Sequence, residues 1–149
     1  MSPVPRLLEW LEEPRADRGI HFAAGEDGWE WWPYARLAEL ARRTAAGLAG
    51  AGIGDGDVVA LVQRSGPSFV ASLFGAMLAG ATPAPIAPPQ LFGEAGAYAE
   101  HALGLLAQAA PAALVGSADL HGTLAPLAAA AGAELLDAEA LHRAPAEVR

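Results

Sequence analysis

The sequence predicts an α/β fold: a mostly parallel sheet with helices on both faces, preceded by a short helix and a β-hairpin. Three observations predict it. Short apolar runs at 58–62, 82–86, 112–116 and 133–136 have the length of buried strands. Stretches with apolar residues at helical spacing separate each consecutive pair, which makes βαβ units and therefore parallel strands. Gly or Pro stands at the junctions, as at Gly66-Pro67, Gly80, Pro111 and Gly132.

Residues 6–13 read as a short amphipathic helix with Leu7, Leu8, Trp10 and Leu11 apolar, ended by Pro14. Residues 20–23 and 29–32 read as hairpin strands around Gly25-Glu26-Asp27-Gly28. On the returning strand Trp29 and Trp31 share one face and Trp32 takes the other. With no basic neighbours in view, these rings are expected in core or interface packing, not as a base-stacking platform. Pro33 starts a helix over 33–49. Tyr34, Leu37, Ala41, Thr44 and Leu48 mark its inner face, and Glu39 with Arg43 makes a favourable i, i+4 pair outside. The glycines of 50–56 follow a helix and precede a strand, the reverse of a dinucleotide fingerprint, and read as a cap and turn.

Pro67 suits the first turn of the next helix, and Gly80 suits its left-handed end. Val70, Leu73, Phe74, Met77 and Leu78 fall on one apolar stripe, which predicts Phe74 in the core. Ala71, Gly75 and Ala79 form a small-residue face suited to close packing against another layer. A further helix spans 94–110 with Tyr98, Ala102, Leu105, Leu106 and Ala109 inward and His101 on or beside that face. Ser117 is placed to cap the helix that follows, whose face is Leu120, Leu124, Leu127 and Ala131. Residues 137–142 form a last helical turn, and 145–149 trail off.

The chain has 149 residues, enough for one domain, with 53% apolar and 17% charged residues. A net charge of −8 argues against nucleic acid or an anionic membrane surface as partner. The longest charge-free window lies between Arg64 and Glu94, but Pro67 and Gly80 hold its helix to about 20 Å, short of a bilayer core. The amino-terminal stretch lacks a signal-peptide core, so a cytoplasmic location is expected. There is no Cys, and all nine basic residues are Arg.

No catalytic constellation is legible. His21, His101, His121 and His142 are far apart, with no metal-ligand spacing, so no metal site is expected. Ser65, Gly66 and Ser117 stand at carboxyl ends of strands, where open α/β sheets take ligands, with Arg64 beside them. Their ordinary reading is turn former and helix cap.

The run 59–75, followed by Leu78-Ala79-Gly80-Ala81-Thr82-Pro83-Ala84-Pro85, resembles the amino-terminal part of the adenylate-forming enzymes: acyl-CoA synthetases, fatty acyl-AMP ligases and peptide-synthetase adenylation domains. Pro88-Pro89 makes it look most like the fatty acyl-AMP ligases. Tyr34 and Leu37 match the Tyr-x-x-Leu that opens the family's first long helix, although Trp31-Trp32-Pro33 replaces the usual Ser or Thr before that Tyr. The resemblance implies a parent enzyme that joins a carboxylic acid to ATP with magnesium, forms an acyl-adenylate, and passes the acyl group to a CoA or carrier-protein thiol. It further implies that residues 1–149 are the amino-terminal portion of the large domain, without the catalytic loops and the carboxyl-terminal domain. The phosphate-handling Lys residues of the family have no counterpart here. The chain alone is then expected to be inactive, to bind no cofactor itself, and to pair with the rest of the ligase or a complementary half, or to self-associate. The alternative is a non-catalytic interaction module derived from that fold.

Overall fold

The computed structural model describes residues 6–89 and 95–146. A six-residue 3-10 helix, Arg6–Leu11, leads into the hairpin β1 (Gly19–Ala24) and β2 (Gly28–Pro33). These two strands form their own antiparallel sheet. Helix α1 (Tyr34–Gly50) follows directly. Its first N–H groups, which have no acceptor within the helix, are met by backbone: Tyr34 N–H donates to Arg18 O at 2.8 Å and Ala35 N–H to Arg15 O at 3.1 Å.

The main sheet is β3 (Val58–Val62), β4 (Thr82–Pro85), β5 (Ala113–Gly116) and β6 (Glu134–Asp137), in the order β4-β3-β5-β6 and parallel throughout. The expected topology holds, with strand ends differing by a residue. β4 reads Thr-Pro-Ala-Pro. Thr82 donates to Asp57 O just before β3 and Ile86 to Leu61 O on it, so with a period of two the prolines, which have no N–H, fall on the free edge.

Helices cover both faces: α2 (Pro67–Leu78), α3 (Ala95–Ala109), α4 (His121–Ala131) and α5 (Ala138–His142). Val59, Leu61, Ala113 and Val115 point to one side, against Leu48, Ala76, Ala138 and Leu141. Ala60, Val62 and Leu114 point to the other, against Tyr98, Leu106, Leu124 and Leu127. The α1 face is as predicted: Leu37, Ala41, Thr44 and Leu48 are all buried. On α3, Tyr98, Ala102 and Leu106 are buried, while Leu105 is exposed. Glu94 and the loop after Pro89 lie outside the described residues, as do 147–149.

Helix α2 corrects the sequence reading. Its buried residues are Ala71, Ser72, Gly75 and Ala76. Phe74 and Met77 are only partly buried, and Leu78 is exposed. The small-residue face is used inside the chain. A Cβ on Gly75 would lie 2.7 Å from Thr44 Cβ and 2.9 Å from Ala41 O, so α1 and α2 approach almost backbone to backbone. The 67–78 segment carries no charge, so its apolar residues form no unique stripe, and close approach rather than side-chain size decides the inner face. Gly80 does end this helix, at φ +89.

Two smaller corrections concern helix starts. The first helix is 3-10 and ends at Leu11, with Leu8 and Leu11 buried and Leu7 exposed. Ser117 precedes a 3-10 turn, Ala118–Leu120, and makes no side-chain cap bond, and α4 begins only at His121.

Candidate functional site

Strand β3 hands on to its neighbour β4 through α2 on one face, and β5 to β6 through α4 on the other. The crevice outside the carboxyl ends of β3 and β5 is therefore the switch point of the sheet, where such folds take ligands. Gln63, Arg64 and Ser65 leave β3 there, and Ser117 with Asp119 leave β5. Arg64 Nη1 and Asp119 Oδ2 pair at 2.9 Å across the crevice. Ser117 first and Arg64 second hold the Asp119 carboxyl below the usual carboxylate range. Both pair members are about half exposed, so the bridge ties the two loop ends at little energetic gain.

Next to this crevice lies a buried polar chain that sequence reasoning missed. The Gln63 side-chain amide donates to Ser68 Oγ at 2.8 Å. Ser68 Oγ is 2.7 Å from His142 Nε2. His142 Nδ1 is 2.8 Å from Thr44 Oγ1, and Thr44 donates to Leu40 O at 2.8 Å. His142 is only 8% exposed. Burial pushes its pKa below the ordinary 6.5, against an opposing pull from Glu139 and Asp137. The elements explain the meeting: Pro67 at the start of α2 sets Ser68 in the first turn, and Asp137, accepting from Glu139 N–H, caps α5 and sets His142 at its last residue. Residues 68, 44 and 142 lie on three different helices and residue 63 just past β3, so no local spacing signals them.

Two clefts open on this side. One, of about 360 Å³, is lined by Trp32, Leu40, Pro67, Ser68, Glu139 and His142. The other, of about 440 Å³, is apolar and lined by Trp10, Ile20, Tyr34, Leu37, Val70 and Phe74, with the rings of Trp10 and Phe74 edge to face at 5.0 Å. The displaced large residues of α2 form part of its wall.

The remaining candidates are dispersed. His101 is exposed on α3, and His121 is the first residue of α4. The His21 ring lies against Trp31, tilted, with centroids 4.7 Å apart. Trp29 and Trp31 share the exposed face, 72% and 41% exposed, so of the expected core or interface packing the core is ruled out for both. Trp32 has a basic neighbour after all: the Arg36 guanidinium lies 3.6 Å over its ring. Among the described residues no group of three or more His, Cys, Asp or Glu is placed to hold a metal ion. No helix among them is long and apolar enough to cross a membrane.

Comparison with known proteins now bears on this geometry. The profile of the AMP-binding enzymes matches residues 9–147. A protein assigned as an acyl-CoA synthetase, from Caulobacter vibrioides, is 32% identical over 138 residues, covering 85% of this chain and 24% of its own length. A protein assigned as a non-canonical nonribosomal peptide synthetase, from Salinispora arenicola, is 36% identical over 118 residues, covering 78% of this chain and 1% of its own length. The chain thus spans a quarter or less of these relatives. Among solved structures, the Legionella pneumophila fatty acyl-adenylate ligase in complex with acyl adenylate and pyrophosphate superposes with a TM-score of 0.73 at 22% identity, over 91% of this chain and 22% of that one. The McyG A-PCP structure complexed with phenylalanyl-adenylate superposes at 0.77 and 18% identity, over 100% of this chain and 28% of that one. The profile match covers far more than half of the sequence, and on that ground the chain belongs to the AMP-binding enzyme family, the adenylate-forming ligases.

Proposed function

We propose that these residues form the amino-terminal portion of the large domain of a carboxylic-acid-activating ligase, which makes an acyl-adenylate from ATP and hands the acyl group to a carrier-protein or CoA thiol. The observation that carries the reading is the profile match over 9–147. The proline-rich edge strand supports it, since Leu78 to Pro85 closes α2 and forms β4 beside the switch point. A fatty acid is the favoured substrate, supported by the Pro88-Pro89 pattern and the likeness to fatty acyl-adenylate ligases.

The described residues do not by themselves fit a magnesium–triphosphate group. The sequence has no Lys, and Arg64 at the switch point is matched to a carboxylate. Phosphoryl charge needs fixed cations or donors around it. Under this reading those groups come from the rest of the ligase, and the 149 residues alone form no acyl-adenylate.

The test is pyrophosphate release with ATP, magnesium and a panel of fatty acids, aryl acids and amino acids. The 149-residue chain and the full polypeptide that carries it are assayed side by side. Release by the full polypeptide, strongest with fatty acids and absent from the short chain, supports the proposal. Repurified short chain that still turns over would place the chemistry within these residues. Release by neither would favour the non-catalytic interaction module.

A further inference from the structure

We propose that Ser68 and His142 form a nucleophile–base pair, so that Ser68 accepts the acyl group of small activated carboxylic esters in the cleft walled by Trp32, Leu40, Pro67 and Glu139. This goes beyond the acyl-adenylate reading and does not depend on it.

The hydrogen-bond directions carry the inference. Thr44 gives its single hydroxyl proton to Leu40 O. Its contact with His142 Nδ1 must then be a ring N–H donating to Thr44 Oγ1. With the proton on Nδ1, the lone pair on Nε2 faces Ser68, and Ser68 donates to it across 2.7 Å. The other side of Ser68 Oγ accepts from Gln63. A hydroxyl aimed at a neutral imidazole, with a third group fixing the tautomer, is the arrangement that activates serine nucleophiles.

The third group here is a hydroxyl, which orients the ring but cannot balance its charge. Glu139 can: it lines the same cleft, and with Asp137 it favours the protonated ring. Of the nearby cations, Arg143 follows His142 in the chain and is exposed, and the other two are engaged. Arg43 bonds Glu39 and the carbonyl of Ala144, and Arg36 lies on Trp32. Two further features suit an acyl group. The first turn of α2 leaves the Ser68 and Phe69 N–H groups without intrahelical acceptors, beside the attacking oxygen. Trp32 Nε1, in a residue of the cleft wall, is buried with no partner among the described residues.

The step balances without a co-reactant. Ser68 Oγ bonds the carbonyl carbon, its proton moves to His142 Nε2, and the leaving alcohol departs with that proton. The products are a Ser68 ester and a free alcohol.

The experiment incubates the 149-residue chain with p-nitrophenyl acetate, and separately with a small dialkyl fluorophosphate, and follows adducts by intact mass and peptide mapping. One adduct, mapped to Ser68, is expected. Its rate should rise with pH along a titration whose midpoint lies below the ordinary 6.5, because burial favours the neutral ring. Ser68→Ala should abolish it, and His142→Gln, shown folded by circular dichroism, should slow it about a hundredfold. The parent chain decides the matter even if a variant unfolds. No adduct on folded parent chain, or an adduct mapped elsewhere, overturns the proposal, as does an unchanged rate in folded His142→Gln.

Discussion

Replacing Gly75 with Ala adds one methyl group at the closest approach of α1 and α2. The new Cβ would sit 2.7 Å from Thr44 Cβ, 2.8 Å from Thr44 Cγ2 and 2.9 Å from Ala41 O. Carbon pairs are most stable at about 3.5–4.0 Å, so the helices must part by about 1 Å. Overpacking of this kind costs about 1–3 kcal/mol. Ala is the better helix former by about 1 kcal/mol, which offsets part of it. The expected net loss is up to about 2 kcal/mol, or a melting temperature lower by up to about 8 °C for a chain of this size. Gly104→Ala is the control, because Gly104 lies inside α3 with nothing within 4 Å of its would-be Cβ. There the propensity gain stands alone and stability should rise by up to about 1 kcal/mol. Thr44→Ser removes Cγ2 while keeping the hydroxyl, so it should recover part of the loss in the Gly75→Ala background. Urea unfolding followed by circular dichroism measures all four proteins. A Gly75→Ala chain stabilised as much as the Gly104→Ala chain would refute the close approach of α1 and α2.

Three other outcomes follow from the same structure. Because burial lowers the His142 pKa in the folded chain, the unfolded chain binds that proton more readily; stability is full above pH 6.5 and falls as pH drops through the folded value, and His142→Gln should flatten the difference between urea midpoints at pH 7.5 and pH 5. Phe74→Ala should cost about 1–2 kcal/mol instead of the 3–5 of a fully buried Phe, because the ring is only partly covered and its main partner is Trp10; thermal melts of Phe74→Ala and Phe74→Leu measure this. Ala110 holds φ +47 between α3 and β5, so Ala110→Gly should raise stability by about 0.5–1 kcal/mol, read as a higher urea midpoint.

The sheet was legible because its strands are bounded by Gly and Pro and joined by helices whose length forces parallel pairing. The inner face of α1 was legible because Arg36, Glu39, Arg42 and Arg43 supply polar contrast. Helix α2 has no such contrast: every residue from Pro67 to Leu78 is apolar or small, and the partner helix chose the face. The crevice residues Arg64 and Ser117 were found by the position rule for strand ends, but their partner Asp119 was not, since pairing across 55 residues leaves no mark in the chain. The Gln63–Ser68–His142–Thr44 chain was invisible for the same reason. His142 read as one of four scattered histidines, and Thr44 as a filler of a helix face.

Stability alone gives little reason for that polar chain. Apolar groups already hold α5: Ala138 and Leu141 lie in the core, and Leu141 sits against Gly47 of α1. Exchanging a satisfied buried hydrogen-bonded pair for apolar groups of the same shape is nearly neutral, whereas one unpaired member costs about 1–3 kcal/mol. Here the chain ends on Gln63 Oε1, buried with no partner among the described residues. A fold selected only for stability would gain by closing that end or removing the chain. What the chain does provide is a fixed tautomer on His142, a serine proton directed at it, and an opening of about 360 Å³ beside both. Those are the requirements of a reactive serine, and they sit beside the switch point, the place where open α/β sheets in general take ligands.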